Sequence, residues 1–250
     1  MAEDWVVRRN SDGEPVLRYL LDEREGRPWA DLLEVLDESV DAAGYIRAEL
    51  PGWVVSGPPE LGQELVAHGA RVLRHAHTFH RDLHADPPPA DWAGAPLREG
   101  LRAVPCDRSP EDLYEAWRAA FPADHVDYYP GEDAQVLAER LAPLLAGRVI
   151  GPVLPSSVLA VDAEDRVVAG LILTDRDGRP WIADVFRHPE HGYRGLGADL
   201  LRWSLGDAAE RGLPDMTLVV SEGNPARRVY ESLGFRLQET SLTVVVPDAA

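Results

Sequence analysis

The sequence predicts a mixed α/β protein whose sheet is mostly antiparallel and flanked by helices. Three observations carry that expectation. A strand at Trp181–Arg187 runs into a glycine-rich turn, Gly192-Tyr-Arg-Gly-Leu-Gly197. A helix follows, on which Leu196, Leu200, Leu201, Leu205 and Ala208 recur at helical spacing up to Gly212, with Pro214 beyond as a stop. Three strand-like runs, Ser157–Asp162, Arg166–Thr174 and Trp181–Arg187, succeed one another through turns at Ala163-Glu-Asp165 and Asp175-Arg-Asp-Gly178, an antiparallel meander. A strand–helix–strand pattern also occurs twice, at 53–71 and 218–236, with Val54, Val55, Ser56, Gly69 and Arg71 matching Val219, Val220, Ser221, Gly234 and Arg236 without a gap. A copied unit explains the match; chance likeness between two strand–helix units is the plainer alternative.

From the N-terminus, Trp5–Arg9 and Val16–Asp22 read as strands around a Ser-Asp-Gly turn. Trp29, Leu32, Leu33, Leu36 and Val40 share one helical face, which predicts a helix ending near Gly44. A strand at Trp53–Val55, a helix from Leu61 to His68 capped by Gly69, and a strand at Arg71–Phe79 follow. Of the run His75, His77, His80 and His84, the first two share a strand face. That suits either a metal pair or an ordinary solvated or interface face. No cysteine or well-placed carboxylate completes a site, so no metal is expected. Three consecutive prolines, Pro87 to Pro89, stiffen residues 85–98 into a linker. The expected domains are therefore 1–84 and 99–250.

In the larger domain Leu101–Pro105 is a first strand, and Ser109, Pro110 and Glu111 open a helix to about Ala120. A loop from Phe121 to Gly131 carries His125, Asp127, Tyr128 and Tyr129, and a second helix spans Asp133–Leu145. After the meander and the turn come a strand at Met216–Val220, a helix, and a closing strand or hairpin from Phe235 to Val246.

At 250 residues the chain can bury a sizeable core, and 45% hydrophobic with 27% charged residues describes an ordinary globular protein. No apolar run reaches membrane-spanning length, and the start, Met-Ala-Glu-Asp, is acidic where a leader would be basic. The single cysteine, Cys106, excludes an internal disulfide and has no activating motif around it, so a reducing cytoplasm is the expected compartment. A net charge of −18 with no lysine argues against nucleic acid and anionic membranes as partners. It suits a cationic small molecule, or solubility alone. Positive charge is nonetheless local to the turn and the helices near it, as Arg187, Arg194, Arg202, Arg227 and Arg228.

Strand, glycine turn and helix start together make an anion site, since the free N–H groups of a first helical turn point outward at a closely approaching ligand. A dinucleotide fingerprint would read G-x-G-x-x-G directly after its strand; here the order is Gly192-x-x-Gly195-x-Gly197 and Pro189 intervenes. A helix that merely starts on a glycine-rich loop is the bland reading.

The turn after His188-Pro189, with Asn224-Pro-Ala-Arg-Arg-Val-Tyr-Glu-Ser-Leu-Gly-Phe235 further on, resembles the two motifs of the GNAT superfamily of N-acyltransferases. The likeness covers roughly residues 99–248. It departs from the pattern at Gly192, where Arg or Gln is usual, at Arg187, usually apolar, and in an Asn224-to-Tyr230 spacing one residue short. The resemblance implies the GNAT fold and acetyl-CoA as cosubstrate. Its diphosphate would lie on Gly192, Tyr193, Arg194, Gly195, Leu196, Gly197 and Ala198, and its pantetheine arm along Val185, Phe186 and Arg187, with Asn224 beside it. Direct transfer of an acetyl group to a primary amine of a small molecule or peptide follows, with Tyr230 as general acid. Asp184 is the nearest candidate base; Asp127, a water chain or an already neutral amine would also serve. Asp127, Tyr128 and Tyr129 sit where the family's acceptor site is commonly lined, or else form a tyrosine-rich surface loop packed on its own scaffold. The rival reading is a non-catalytic acyl-CoA-binding or regulatory protein. By the same resemblance the N-terminal part is a shortened, inactive GNAT-like half, as in tandem enzymes, with Leu65 where Tyr230 stands and with Ala30 and Leu32 near the places of Gly195 and Gly197. A monomer or homodimer is expected.

Overall fold

Short-range hydrogen bonds close the first hairpin of the computed structural model, which describes residues 5–24 and 26–249; the acidic start, Met1–Asp4, lies outside them. The Asn10 carboxamide accepts the amides of Asp12 and Glu14 at 3.0 and 2.9 Å, and Gly13 takes a positive φ of 83°. This turn pairs β1 (Trp5–Arg9) with β2 (Pro15–Arg24). The chain divides into two compact units, Met1–His77 with Gln238–Ala250, and Thr78–Leu237.

In the first unit the residues expected to form a helix from Trp29 instead form a strand, β3 (Arg27–Val35), antiparallel to β2. The helix comes later, as α1 (Ala42–Glu49), where the Asp41 carboxylate accepts the Gly44 amide at 2.7 Å. A bulge caused the misreading. Between the pairs Arg18↔Glu34 and Leu20↔Asp31 the β3 strand carries one extra residue, and Leu32 sits there with a φ of 49°. The bulge breaks strict alternation, so Ala30 and Leu33 both point inward, a spacing of three that imitates a helix. β4 (Val54–Gly57), α2 (Pro59–Ala67) and β5 (Arg71–Asp82) follow as expected, β5 running past His77 into the second unit.

Strand order in the first unit is β1-β2-β3-β4, then β11 (Arg236–Val245), antiparallel except between β3 and β4. The expected boundary at residues 85–98 is thus not where the units divide, and the expected 99–250 domain does not keep its C-terminus. Leu242, Val244 and Val246 enter the core of the first unit with Val16, Tyr19, Ile46 and Leu65, because β11 supplies the ladder partner that β4 needs.

The second unit has the order β10-β9-β8-β7-β6, with β6 (Arg102–Pro105), β7 (Val158–Val161), β8 (Val167–Arg176), β9 (Arg179–Arg187) and β10 (Asp215–Ser221). All neighbours are antiparallel except β9 and β10. One face is covered by α3 (Pro110–Ala120), opened by a capping box between Ser109 and Asp112, and by α4 (Asp133–Val136) and α5 (Ala142–Leu145), which a π-helical turn over Leu137–Leu141 joins. The other face is covered by α6 (Leu196–Glu210) and α7 (Arg227–Ser232). This is the mostly antiparallel, helix-flanked sheet that the sequence predicts.

The likeness of the two units extends to their hairpins, since Gly26-Arg-Pro-Trp29, leading into β3, repeats Gly178-Arg-Pro-Trp181, leading into β9. That places Ala30 and Leu32 inside a strand, not at the places of Gly195 and Gly197. The segment of the first unit between its parallel strand and its helix is Leu36-Asp-Glu-Ser-Val-Asp41, acidic where the second unit is glycine-rich.

Candidate active site

Two parallel strands that part company create the site. Among the described residues β9 pairs with β10 only at Trp181↔Thr217 and Ile182↔Leu218. Both strands run on, to Arg187 and Ser221, so along 183–187 the side of β9 that faces β10 has no ladder partner. An unpaired strand edge of this kind offers its N–H and C=O groups to an extended amide-bearing ligand. On its other side β9 stays paired with β8, and Gly170 of β8 leaves room for Phe186; a Cβ at Gly170 would stand 2.5 Å from that ring.

Asp184 lies on this stretch. Trp117, buried on α3, donates its indole N–H to Asp184 Oδ2 at 2.6 Å. Burial, followed by the negative charge of Asp127, lifts the Asp184 carboxyl to about 7 against the opposing bonds from Trp117 and the Val185 amide. Tyr230 on α7 is 9% exposed, and its hydroxyl is pushed well above the usual tyrosine value by burial and then by Asp184 and Asp127. The phenol is therefore held firmly protonated.

Asp127 is the third member. Its Oδ1 accepts from the Ser221 hydroxyl at 2.6 Å and its Oδ2 from the Asn224 carboxamide at 2.9 Å. The 121–131 loop is thereby tied to the end of β10 and the start of α7. Asn224 Oδ1 meanwhile accepts the Ala226 amide at 2.9 Å. The Asn224 side chain thus ties Asp127 to the start of its own helix. Tyr129 stacks on Trp117, ring centroids 5.6 Å apart, and Arg118 donates to the Tyr129 carbonyl at 2.6 Å and to the Tyr128 hydroxyl at 3.3 Å. Tyr129 therefore packs on the tryptophan that holds Asp184, and Tyr128 packs on Arg118.

The glycine-rich turn stands at the far end of β9. Gly195 caps α6 in the left-handed region, φ 89°, and no side chain caps the helix. The buried side chains of Phe186 and Leu196 belong to the core, so both residues have only backbone to offer here. Arg187 is pushed below the ordinary arginine value by burial and then by Arg194 and Arg98. Three guanidinium groups thus share one small region, an arrangement that an anion relieves. With the uncapped helix start and the unpaired β9 edge, it fits a diphosphate followed by an extended amide-bearing arm.

The structure brings Asp184, Tyr230 and Asp127, each named from the sequence, to one place, with the turn at the far end of β9. Ser221 stands in the sequence only as a matched position of the repeat. Trp117 looks like core because it follows Leu113 by four residues on α3, and no signal pointed to Arg98 in the proline-rich segment. Cys106 is pushed up to about 11 by burial and then by Asp107, an unreactive thiol. Among the described residues no helix is long and apolar enough to cross a membrane.

Several solved structures share this architecture. A GCN5-related N-acetyltransferase from Sphaerobacter thermophilus aligns with 99% of this chain and 82% of its own, at 20% identity and a TM-score of 0.64. A GCN5-related N-acetyltransferase from Kribbella flavida aligns over 93% and 87%, at 20% identity and a TM-score of 0.52. A tandem GNAT protein of clavulanic acid biosynthesis aligns over 96% and 82%, at 16% identity and a TM-score of 0.59. At these identities they show the fold. No curated protein sequence matches the chain. The family model of the GNAT acetyltransferases, however, matches residues 111–235, half of the sequence and the site just described apart from Arg98, and the chain belongs to that family.

Proposed function

We propose that the protein is an acetyl-CoA-dependent N-acetyltransferase that moves an acetyl group directly to a primary amine. The observation that carries this reading is the meeting of Asp184, Asp127 and Tyr230 where β9 and β10 part. Acetyl-CoA supplies an activated acetyl thioester. The backbone of 192–198, with Arg187 and Arg194, would hold its diphosphate, and the unpaired edge of β9 from Val185 to Arg187 would hold the pantetheine arm.

The chain's own groups then do the proton work. An alkylammonium is no nucleophile until it loses a proton. Asp184, with a carboxyl near 7, can take that proton around neutral pH, as a base matched to working conditions does. Asp127, held by hydrogen bonds from Ser221 and Asn224, adds an acidic group that draws a cationic acceptor inward. Tyr230, held protonated, can donate to the departing sulfur, whose thiol has an ordinary value near ~8.5. Tyr128 and Tyr129 would wall the acceptor end. In this reading the N-terminal unit is the stripped copy of a tandem pair. Leu65 gives it no hydroxyl, and Asp37, Glu38 and Asp41 crowd the place of the phosphate turn.

Calorimetry with acetyl-CoA, beside a thiol-release assay over a panel of diamines, amino acids, aminoglycosides and peptides, tests the reading. Acetyl-CoA binding with thiol release driven by at least one amine is expected. Gly192, where the family commonly has Arg or Gln, favours the second reading of a non-catalytic acyl-CoA-binding protein. Binding without transfer to any acceptor selects it, and no binding at all removes both.

A further inference from the structure

We propose that Arg98 is a positioning residue that sets the glycine-rich turn for the donor's diphosphate, an inference that rests on the acetyl-CoA reading above. Arg98 precedes β6 in a segment that looks like mere linker. Its guanidinium nevertheless donates to two carbonyls of the turn, Gly192 O at 3.2 Å and Arg194 O at 2.7 Å, and contacts Asp199 Oδ2 at 3.4 Å.

Each contact has a consequence. A trans peptide carries its C=O and N–H on opposite sides. Pinning the Arg194 carbonyl therefore turns the Gly195 N–H away from Arg98, toward the side left for the anion. The Tyr193 amide already donates to Glu190 O at 3.1 Å and the Ala198 amide to Gly195 O at 3.0 Å, so the Gly195 amide is among the donors between them that Arg98 can set. Asp199 lies in the first turn of α6, where its charge would repel a phosphate; Arg98 and Arg202, the latter at 2.9 Å, neutralise it from two sides. Glycine at 195 is required by its φ of 89°.

Arg98 thereby supplies what Gly192 leaves out. A family arginine at position 192 would reach the phosphates from within the turn. Here an arginine from outside fixes the turn's backbone and adds positive charge beside Arg187 and Arg194.

The test compares coenzyme A with pantetheine, which keeps the arm and lacks the diphosphate. Both are titrated by tryptophan fluorescence against wild-type protein, Arg98→Ala and Arg98→Gln, with Tm measured for each. The wild type should prefer coenzyme A. In both variants the Kd for coenzyme A should rise about tenfold, or about 1.4 kcal/mol. The Kd for pantetheine and the Tm should hold, so that the preference shrinks. A merely structural arginine would weaken both ligands alike or lower Tm, and either result, like an unchanged preference, overturns the proposal. A wild type that binds no coenzyme A instead overturns the donor assignment itself, which separates the two failures.

Discussion

Asp184 and Tyr230 illustrate how one desolvated corner prepares two groups for opposite tasks. Burial raises both: a carboxyl lifted to about 7 becomes an effective base near neutrality, while the raised phenol keeps its proton until a strongly basic leaving group draws it off. Asp127 contributes to both shifts through its charge. Asp127→Asn removes that charge and keeps an acceptor for Ser221, so the Asp184 carboxyl should fall from about 7 toward the carboxylate range. A base works only when ionised, so kcat/KM rises as pH climbs through this value, and the acidic limb of the profile should move to lower pH in the variant. A limb that stays in place would remove Asp127 from the tuning of Asp184. Tyr230→Phe should lower kcat by about 100-fold, the low end for a lost general acid, with acetyl-CoA affinity nearly unchanged. Unchanged turnover would take Tyr230 out of the mechanism. Both residues were legible in the sequence because motif and strand position marked them. Trp117 was not, since a buried tryptophan on an amphipathic helix looks the same whether or not its indole N–H meets a carboxylate.

At the scale of elements the site depends on where strands pair and where they stop. The meander, the glycine turn and α6 were legible because periodicity and turn chemistry agree there. The helix expected from Trp29 was not, because a single bulged residue, Leu32, gave a strand a helical spacing. The parting of β9 from β10 was also out of reach, since the length of a parallel ladder depends on what packs beneath each strand. Phe186 is one such support. Its ring lies under β8 where Gly170 has no side chain. Gly170→Ala would bring a Cβ to 2.5 Å from two ring atoms, and neither the sheet nor a ring 1% exposed can yield freely. Overpacking of this kind destabilises by about 1–3 kcal/mol. A lower midpoint in urea at constant slope is expected, with a raised KM for acetyl-CoA as the Val185–Arg187 backbone shifts. A full-strength midpoint would show that Phe186 can relocate without strain.

The molecule folds as two compact units, and the last stretch of chain belongs with the first of them. The sequence pointed to two units. It did not show that the last strand belongs with the first unit, because pairing between β11 and β4 joins residues some two hundred positions apart. The pairing is nonetheless specific: Leu242↔Gly57, Thr243↔Ser56, Val244↔Val55 and Val245↔Val54. Leu242 also packs where a Cβ on Gly62 would stand 2.7 Å away, so α2 lies directly against it. A chain ended after Leu237 keeps every residue of the proposed catalytic site and loses three buried core side chains, Leu242, Val244 and Val246. Deleting one such side chain costs about 2–5 kcal/mol, and losing three with a ladder partner exceeds what a small unit holds in reserve. Hydrogen exchange should then show the amides of Val54–Gly57 and of α2 unprotected in the shortened protein. Protection of β4 equal to that in the full chain would mean that the first unit folds without its last strand, and that the division at Gln238 carries no energetic weight.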